Sequence, residues 1–187
     1  MMKPLFLLFA FSFSAIAAEQ TVEYAVRGLF QPDRKTVLSS AAKTLQNCRL
    51  VEVSYEKATA TFAYDDEAQG FKKAKPEQVL QQIDNQIRNL TGSTFSIVPQ
   101  STLGEDKLER IDFMVEGLDC LGCSYGLYVT VEKLQGVERA YASFHDGRLA
   151  VFIDPTKTNR EALAEVLKKR EIKVVENSAK EETKPKN

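Results

Sequence analysis

The sequence predicts an α+β protein made of two tandem ferredoxin-like βαββαβ domains, and three observations predict it. Residues 21–65 lie over residues 110–154 without a gap: Gly28-Leu29 falls on Gly117-Leu118, Leu38 on Leu127, Leu45 on Leu134, Tyr55 on Phe144 and Asp65 on Asp154. Self-similarity of this kind marks one supersecondary unit used twice. Within each copy, period-2 and helical apolar patterns follow in the order strand, helix, strand, strand, helix, strand. Between the copies, residues 99–107 are polar with Pro and Gly, which reads as a linker.

The second copy, residues 108–175, shows the elements most clearly. Ile111, Phe113 and Val115 alternate with polar residues as a half-buried strand. Leu127, Val131 and Leu134 form the stripe of an amphipathic helix, with Gly136 as its stop signal. Ala140, Ala142 and Phe144 alternate again, His145-Asp146-Gly147 supplies a turn, and Leu149, Val151 and Ile153 make the return strand. Thr158 with Glu161 reads as a capping box that opens a helix carrying Ala162, Leu163, Val166 and Leu167 on one side. A short strand within residues 172–175 closes the unit. The first copy, residues 20–98, repeats this with Val22/Tyr24/Val26, a helix from about Lys35, Val51/Val53/Tyr55 and a strand over residues 59–64. A helix with Val79, Ile83, Ile87 and Leu90 and a strand over residues 95–98 complete it, after an insertion at residues 66–75.

The ends read differently from the body. Met1-Met2-Lys3 precedes a charge-free stretch, residues 4–18, that closes on Ala15-Ile16-Ala17. One basic residue, a short apolar run and a small-residue ending are the parts of a secretory signal peptide, here residues 1–17. The run is shorter than the roughly 20 residues a spanning helix needs, and no Cys follows it to carry a lipid. The expected location is therefore periplasmic or secreted, where disulfides are allowed, with no stable membrane span after cleavage. Residues 176–187 lack apolar periodicity and read as a disordered tail. Lys+Arg 25 against Asp+Glu 26 leaves no basic surplus for nucleic-acid binding. One His and no Trp leave little material for an imidazole-rich zinc site or a His-dependent triad, and an odd 3 Cys are too few for a disulfide scaffold.

The chemistry concentrates at Gly117-Leu118-Asp119-Cys120-Leu121-Gly122-Cys123, between the first strand and first helix of the second copy. Two thiols three residues apart on a loop entering a helix can turn their sulfurs to one point. The positive end of the helix favours thiolate, the form that binds soft ions such as Cu(I), Zn²⁺ and its heavier relatives. A bare C-x-x-C is a weak signal; set in this order of elements it is a strong one.

These residues resemble the heavy-metal-associated domain family, found in soft-metal chaperones, metal-exporting P-type ATPases and the periplasmic mercury-binding protein. The family pattern Gly-Met-Thr-Cys-x-x-Cys is matched by residues 117–123, and its later Gly-Val by Gly136-Val137. The resemblance covers about residues 108–175 and implies Cys120 and Cys123 as metal ligands. Leu118 stands where the family has a buried Met. Asp119 stands where it has Thr, and similar domains with Asp there serve zinc, cadmium and lead exporters, which implies a third ligand. The alternative for Asp119 is the N-cap of the helix. Glu171-Ile172 replaces the family's Gly-Tyr, so the aromatic cover over the metal is missing. In the first copy Gln31 and Arg34 occupy the Cys positions, and neither binds a soft metal. That copy is a degenerate repeat, read as a docking or spacing module.

The remaining candidates are weaker. Cys48 falls at the entry to a strand and reads as core, with an intermolecular disulfide as its alternative. His145 lies in a turn at the motif's end of the fold and reads as solvated, with auxiliary ligation as the alternative. Tyr125 and Tyr128 follow the motif and either pack or meet a partner, while Lys168-Lys169-Arg170 reads as a solvated helix end. The sequence thus points to a non-enzymatic protein that binds one soft metal ion (Cu(I), Zn, Cd or Hg) and passes it to a metal transporter or another metal-binding domain. The rival readings are a thiol–disulfide oxidoreductase and an interaction module whose C-x-x-C is inert. Against the oxidoreductase stand the Leu121-Gly122 interior, the lack of Trp and the order of elements.

Overall fold

The computed structural model of the protein describes residues 19–175. The expected signal segment, residues 1–17, and the expected tail, residues 176–187, lie outside the described residues. In the first unit the chain runs β1 (Glu19–Arg27), α1 (Arg34–Ala41), β2 (Cys48–Ser54), β3 (Thr59–Asp65), α2 (Pro76–Thr91) and β4 (Ser96–Val98). In the second it runs β5 (Glu109–Val115), α3 (Leu121–Glu132), β6 (Val137–Ser143), β7 (Arg148–Ile153), α4 (Arg160–Lys169) and β8 (Val174–Val175). Each unit forms a four-stranded antiparallel sheet, ordered β2-β3-β1-β4 and β6-β7-β5-β8. The two orders are one topology, so the α+β reading of two tandem ferredoxin-like βαββαβ units is the fold.

Each sheet closes a core with its own two helices. In the first unit Val26, Val53, Phe62 and Ile97 from the strands meet Leu38 of α1 and Val79, Ile83 and Ile87 of α2. In the second, Ile111, Phe113, Leu149, Val151 and Ile153 meet Leu127 and Val131 of α3 and Leu163 and Leu167 of α4. The helix α2 begins with Pro76 at its first position, where a missing N–H costs nothing, and stops at Gly92 in the left-handed conformation. Among the described residues no helix is long and apolar enough to cross a membrane.

Four local departures from the sequence pattern have physical causes. A bulge between Leu50 and Glu52 shifts the β2–β3 pairing, which leaves Val51 48% exposed while Val53 is buried. Leu90 is 42% exposed, because it lies in the last turn of α2 past Ile87, the last residue of that stripe the core encloses. The cap of α4 is Asn159 rather than Thr158: the Asn159 side chain accepts from the Ala162 N–H at 2.9 Å. Residues 66–75 are more than a spacer, since Phe71 is buried in the first core with its ring 5.1 Å from that of Tyr64.

Gly28 and Gly117 hold equivalent positions after β1 and β5, both in the left-handed region (φ +97° and +71°). A Cβ on Gly28 would run into the Thr94 carbonyl oxygen, whereas one on Gly117 meets nothing within 4 Å. Gly117→Ala should therefore cost about 1–3 kcal/mol from backbone strain, and Gly28→Ala measurably more. Urea unfolding of the two variants checks that ranking.

Candidate metal centre

After β5 the chain turns at Gly117 and drops Leu118 into the core of the second unit. An apolar anchor at that point lifts the next two residues outward, and Asp119 and Cys120 are exposed while Cys123 is half-buried against the same core. Cys120 adopts an extended backbone and is itself the N-cap of α3, its Sγ accepting from the Cys123 N–H at 3.0 Å. The N-cap role considered for Asp119 thus belongs to Cys120. That frees the Asp119 carboxylate, whose Oδ1 lies 3.4 Å from Cys123 Sγ, a reach at which the reduced thiol can donate to it. The two cysteines are joined as a disulfide with their Cα atoms 5.1 Å apart.

Asp119, Cys120 and Cys123 each offer a ligand atom, and all three atoms lie within 4.8 Å of one another. Among the described residues no other cluster of three or more His, Cys, Asp or Glu side chains is so placed. Once the disulfide is reduced, the donor set is two sulfurs and one carboxylate at a helix N-terminus. Two thiolates suit a two-coordinate soft ion, and the carboxylate adds the oxygen donor that Zn²⁺ or Cd²⁺ takes more readily.

The other sequence candidates fall outside this cluster. Val115 N–H donates to the Gly147 carbonyl at 2.8 Å, so the β6–β7 turn does sit at the motif's end of the sheet. His145 on that turn is exposed and lies against Phe144 at 4.1 Å between ring centroids. Glu171 takes a left-handed backbone and Ile172 packs on the core, with no aromatic ring at this position. Cys48 is buried in the first core, where Gln86 Nε2 approaches its sulfur at 3.7 Å, and burial pushes its thiol up to about 11.

The first unit's equivalent loop has been turned to packing. Gln31 and Arg34 stand at the two Cys positions, and Phe30 stands opposite Asp119. Arg34 folds back with its guanidinium 4.7 Å from the Phe95 ring centroid. Gln31 is buried and donates from Nε2 to Ser124 Oγ at 3.1 Å. Phe30, a residue of the first unit, lies in the core cluster of the second. Sequence reasoning passed over Phe30; the ungapped overlay held the signal, a large aromatic at a position that is exposed in the other copy. Tyr128, left open between packing and partner contact, is buried and accepts from the Gly28 N–H at 2.8 Å.

Fold and site together define a pair of ferredoxin-like units of which the second brings two sulfurs and a carboxylate together on one loop. Tandem heavy-metal-associated domains are what the chain resembles, in motif and in fold. Among solved structures it is similar to oxidised MerP from Ralstonia metallidurans CH34, at 19% identity over 36% of this chain and 94% of that one, with a TM-score of 0.35. It is similar to the CopZ metallochaperone at 21% identity over 36% of this chain and 100% of that one, TM-score 0.35. The water-soluble region of the P-type ATPase CopA from Bacillus subtilis matches 91% of this chain and 99% of its own length, at 16% identity and a TM-score of 0.37. No family model and no curated protein matches the chain. At these TM-scores the likenesses are weak, and the chemistry rests on the residues described above.

The placement of the three sulfurs predicts a thiol count. Untreated native protein should show no thiol reactive to an aromatic disulfide reagent, gentle reduction should release two, and denaturant after reduction should release the third. Spectrophotometric titration in those three states reads the sequence directly.

Proposed function

We propose that this chain is a metal-binding protein exported from the cytoplasm that takes up one soft metal ion through Cys120 and Cys123 and passes it on. The observation that carries this reading is the convergence of Asp119, Cys120 and Cys123 at the start of α3. Uptake requires the disulfide to accept two electrons and two protons from a thiol reductant, giving two thiols. Both protons then leave to solvent as the sulfurs bind the ion. Cys120 and Asp119 are exposed, so an incoming thiolate from another protein can reach the ion before the first sulfur leaves. That is the chemistry of hand-over by ligand exchange, and the recipient it suits is a metal transporter or another metal-binding domain. Export is supported by the signal-like residues 1–17.

The ion is Cu(I), Hg²⁺, Zn²⁺ or Cd²⁺, and Asp119 is the residue that divides them. A carboxylate ligand matters little to a linear two-sulfur ion and much to Zn²⁺. Asp119→Ala is accordingly expected to weaken Zn²⁺ binding by about tenfold or more while leaving Cu(I) within about threefold. Competition titrations under anaerobic conditions measure both.

The test of the reading itself is stoichiometry. The reduced full chain should bind one equivalent of metal, and the double variant Cys120→Ser, Cys123→Ser should bind none. No uptake by the wild type combined with catalysed reduction of insulin would instead identify a thiol–disulfide oxidoreductase. No uptake and no insulin reduction would leave the interaction module with an inert cysteine pair.

A further inference from the structure

The helix α3 is apolar over more of its surface than one core accounts for. Leu127, Tyr128 and Val131 are buried in the core of the second unit, and Tyr125 follows the motif outside that cluster. Part of this apolar surface meets the first unit, while Leu121 and Tyr125 stay partly open to solvent. The Phe30 ring sits 5.6 Å from that of Tyr125 and 5.4 Å from that of Tyr128. The Phe30 carbonyl accepts from Ala142 N–H at 3.0 Å, which fastens the same loop to edge strand β6. Tyr141 reaches back from β6, its hydroxyl donating to the carbonyls of Tyr55 at 3.0 Å and Glu56 at 2.9 Å. Arg27 pairs with Glu132 at 3.2 Å at the far end of α3.

The contact nearest the sulfurs is polar and closed to water. Gln31 is 2% exposed and Ser124 0%, and they bond to each other at 3.1 Å. Ser124 is the residue after Cys123, and its N–H donates to the Cys120 carbonyl at 3.0 Å. One residue therefore closes the helical turn that spans both cysteines and takes the hydrogen bond from the first unit. First turns are where helices fray, since their N–H groups lack intrahelical partners. A pair of sulfurs on a fraying turn loses effective concentration for each other and for any ion between them.

We propose that the loop Phe30-Gln31, at the lost metal site of the first unit, is a positioning element for the sulfur pair of the second. It grips Ser124, Tyr125 and Tyr128 from outside and holds the turn of Cys120 and Cys123 in the shape that brings their sulfurs together. Neither residue touches the ion. The consequence for metal affinity rests on the proposed function; the consequence for the cysteine pair does not.

The experiment uses the full chain as wild type, Gln31→Ala and Phe30→Leu. The first variant removes the buried bond, and the second keeps apolar volume so that the protein still folds. The deciding readout is the dithiol–disulfide equilibrium of Cys120 and Cys123 against a glutathione redox buffer. Cu(I) affinity against a chromogenic chelator is the second readout. Gln31→Ala should lower both the disulfide-forming equilibrium constant and the Cu(I) affinity by about threefold or more, as loss of preorganisation requires. Phe30→Leu should shift both in the same direction. Folded variants with a disulfide equilibrium equal to wild type would overturn the proposal and reduce the contact to a tether. If wild type takes up no Cu(I) but the equilibrium still shifts, the positioning stands and the metal reading falls.

Discussion

Phe30 belongs by sequence to the first unit and by packing to the second. It is 1% exposed, so its ring contributes a large aromatic burial to a core it does not otherwise share. The geometry around it follows. Its carbonyl must find a donor and takes Ala142 N–H on edge strand β6, which also covers part of an otherwise open sheet edge. Its neighbours Gly28 and Gln31 are drawn into buried bonds with Tyr128 and Ser124. The two units are thereby joined by their own hydrogen bonds and not by residues 99–107 alone, in which Glu105 adds a pair with Arg139, Nη2 to Oε2 at 2.7 Å.

The same contact separates the two copies of one frame at their equivalent loops. The loop after the first strand carries a cysteine pair in the second unit and a hydrophobic plug and a buried amide in the first. Asp119, Cys120 and Cys123 correspond to Phe30, Gln31 and Arg34. None of the latter offers a soft donor, and two of them are occupied in holding α3.

At the cysteine loop the residues divide by depth. Leu118 anchors the loop below, Cys123 lies half-buried against the core, and Cys120 and Asp119 face solvent. Cys120 takes the cap position with its own sulfur, which leaves Asp119 one residue outside the helix. An exposed sulfur beside an exposed carboxylate can be met by an incoming group without unfolding the loop.

Much of this was legible in residues alone, because it depended on period and on repetition. Ile111, Phe113 and Val115 alternate, Val79, Ile83 and Ile87 recur at helical spacing, and Gly28 and Gly117 mark equal turns in two copies; each pattern survives into the fold. The convergence of Cys120 and Cys123 was legible for the same reason, since their spacing at a strand–helix junction fixes it. What was not legible depended on contacts distant in sequence or on single-residue shifts. The bulge that turns out Val51 leaves no mark in composition, and Asn159 and Thr158 are both good caps until one hydrogen bond decides. Phe30 reads as an ordinary loop aromatic until Tyr125 and Tyr128 arrive beside it. The most direct test of the central claim is X-ray absorption at the copper edge of the reduced, Cu(I)-loaded full chain: a first shell dominated by sulfur, abolished when both Cys120 and Cys123 are replaced by Ser, is the predicted result, and a sulfur-free shell or no retained copper would contradict it.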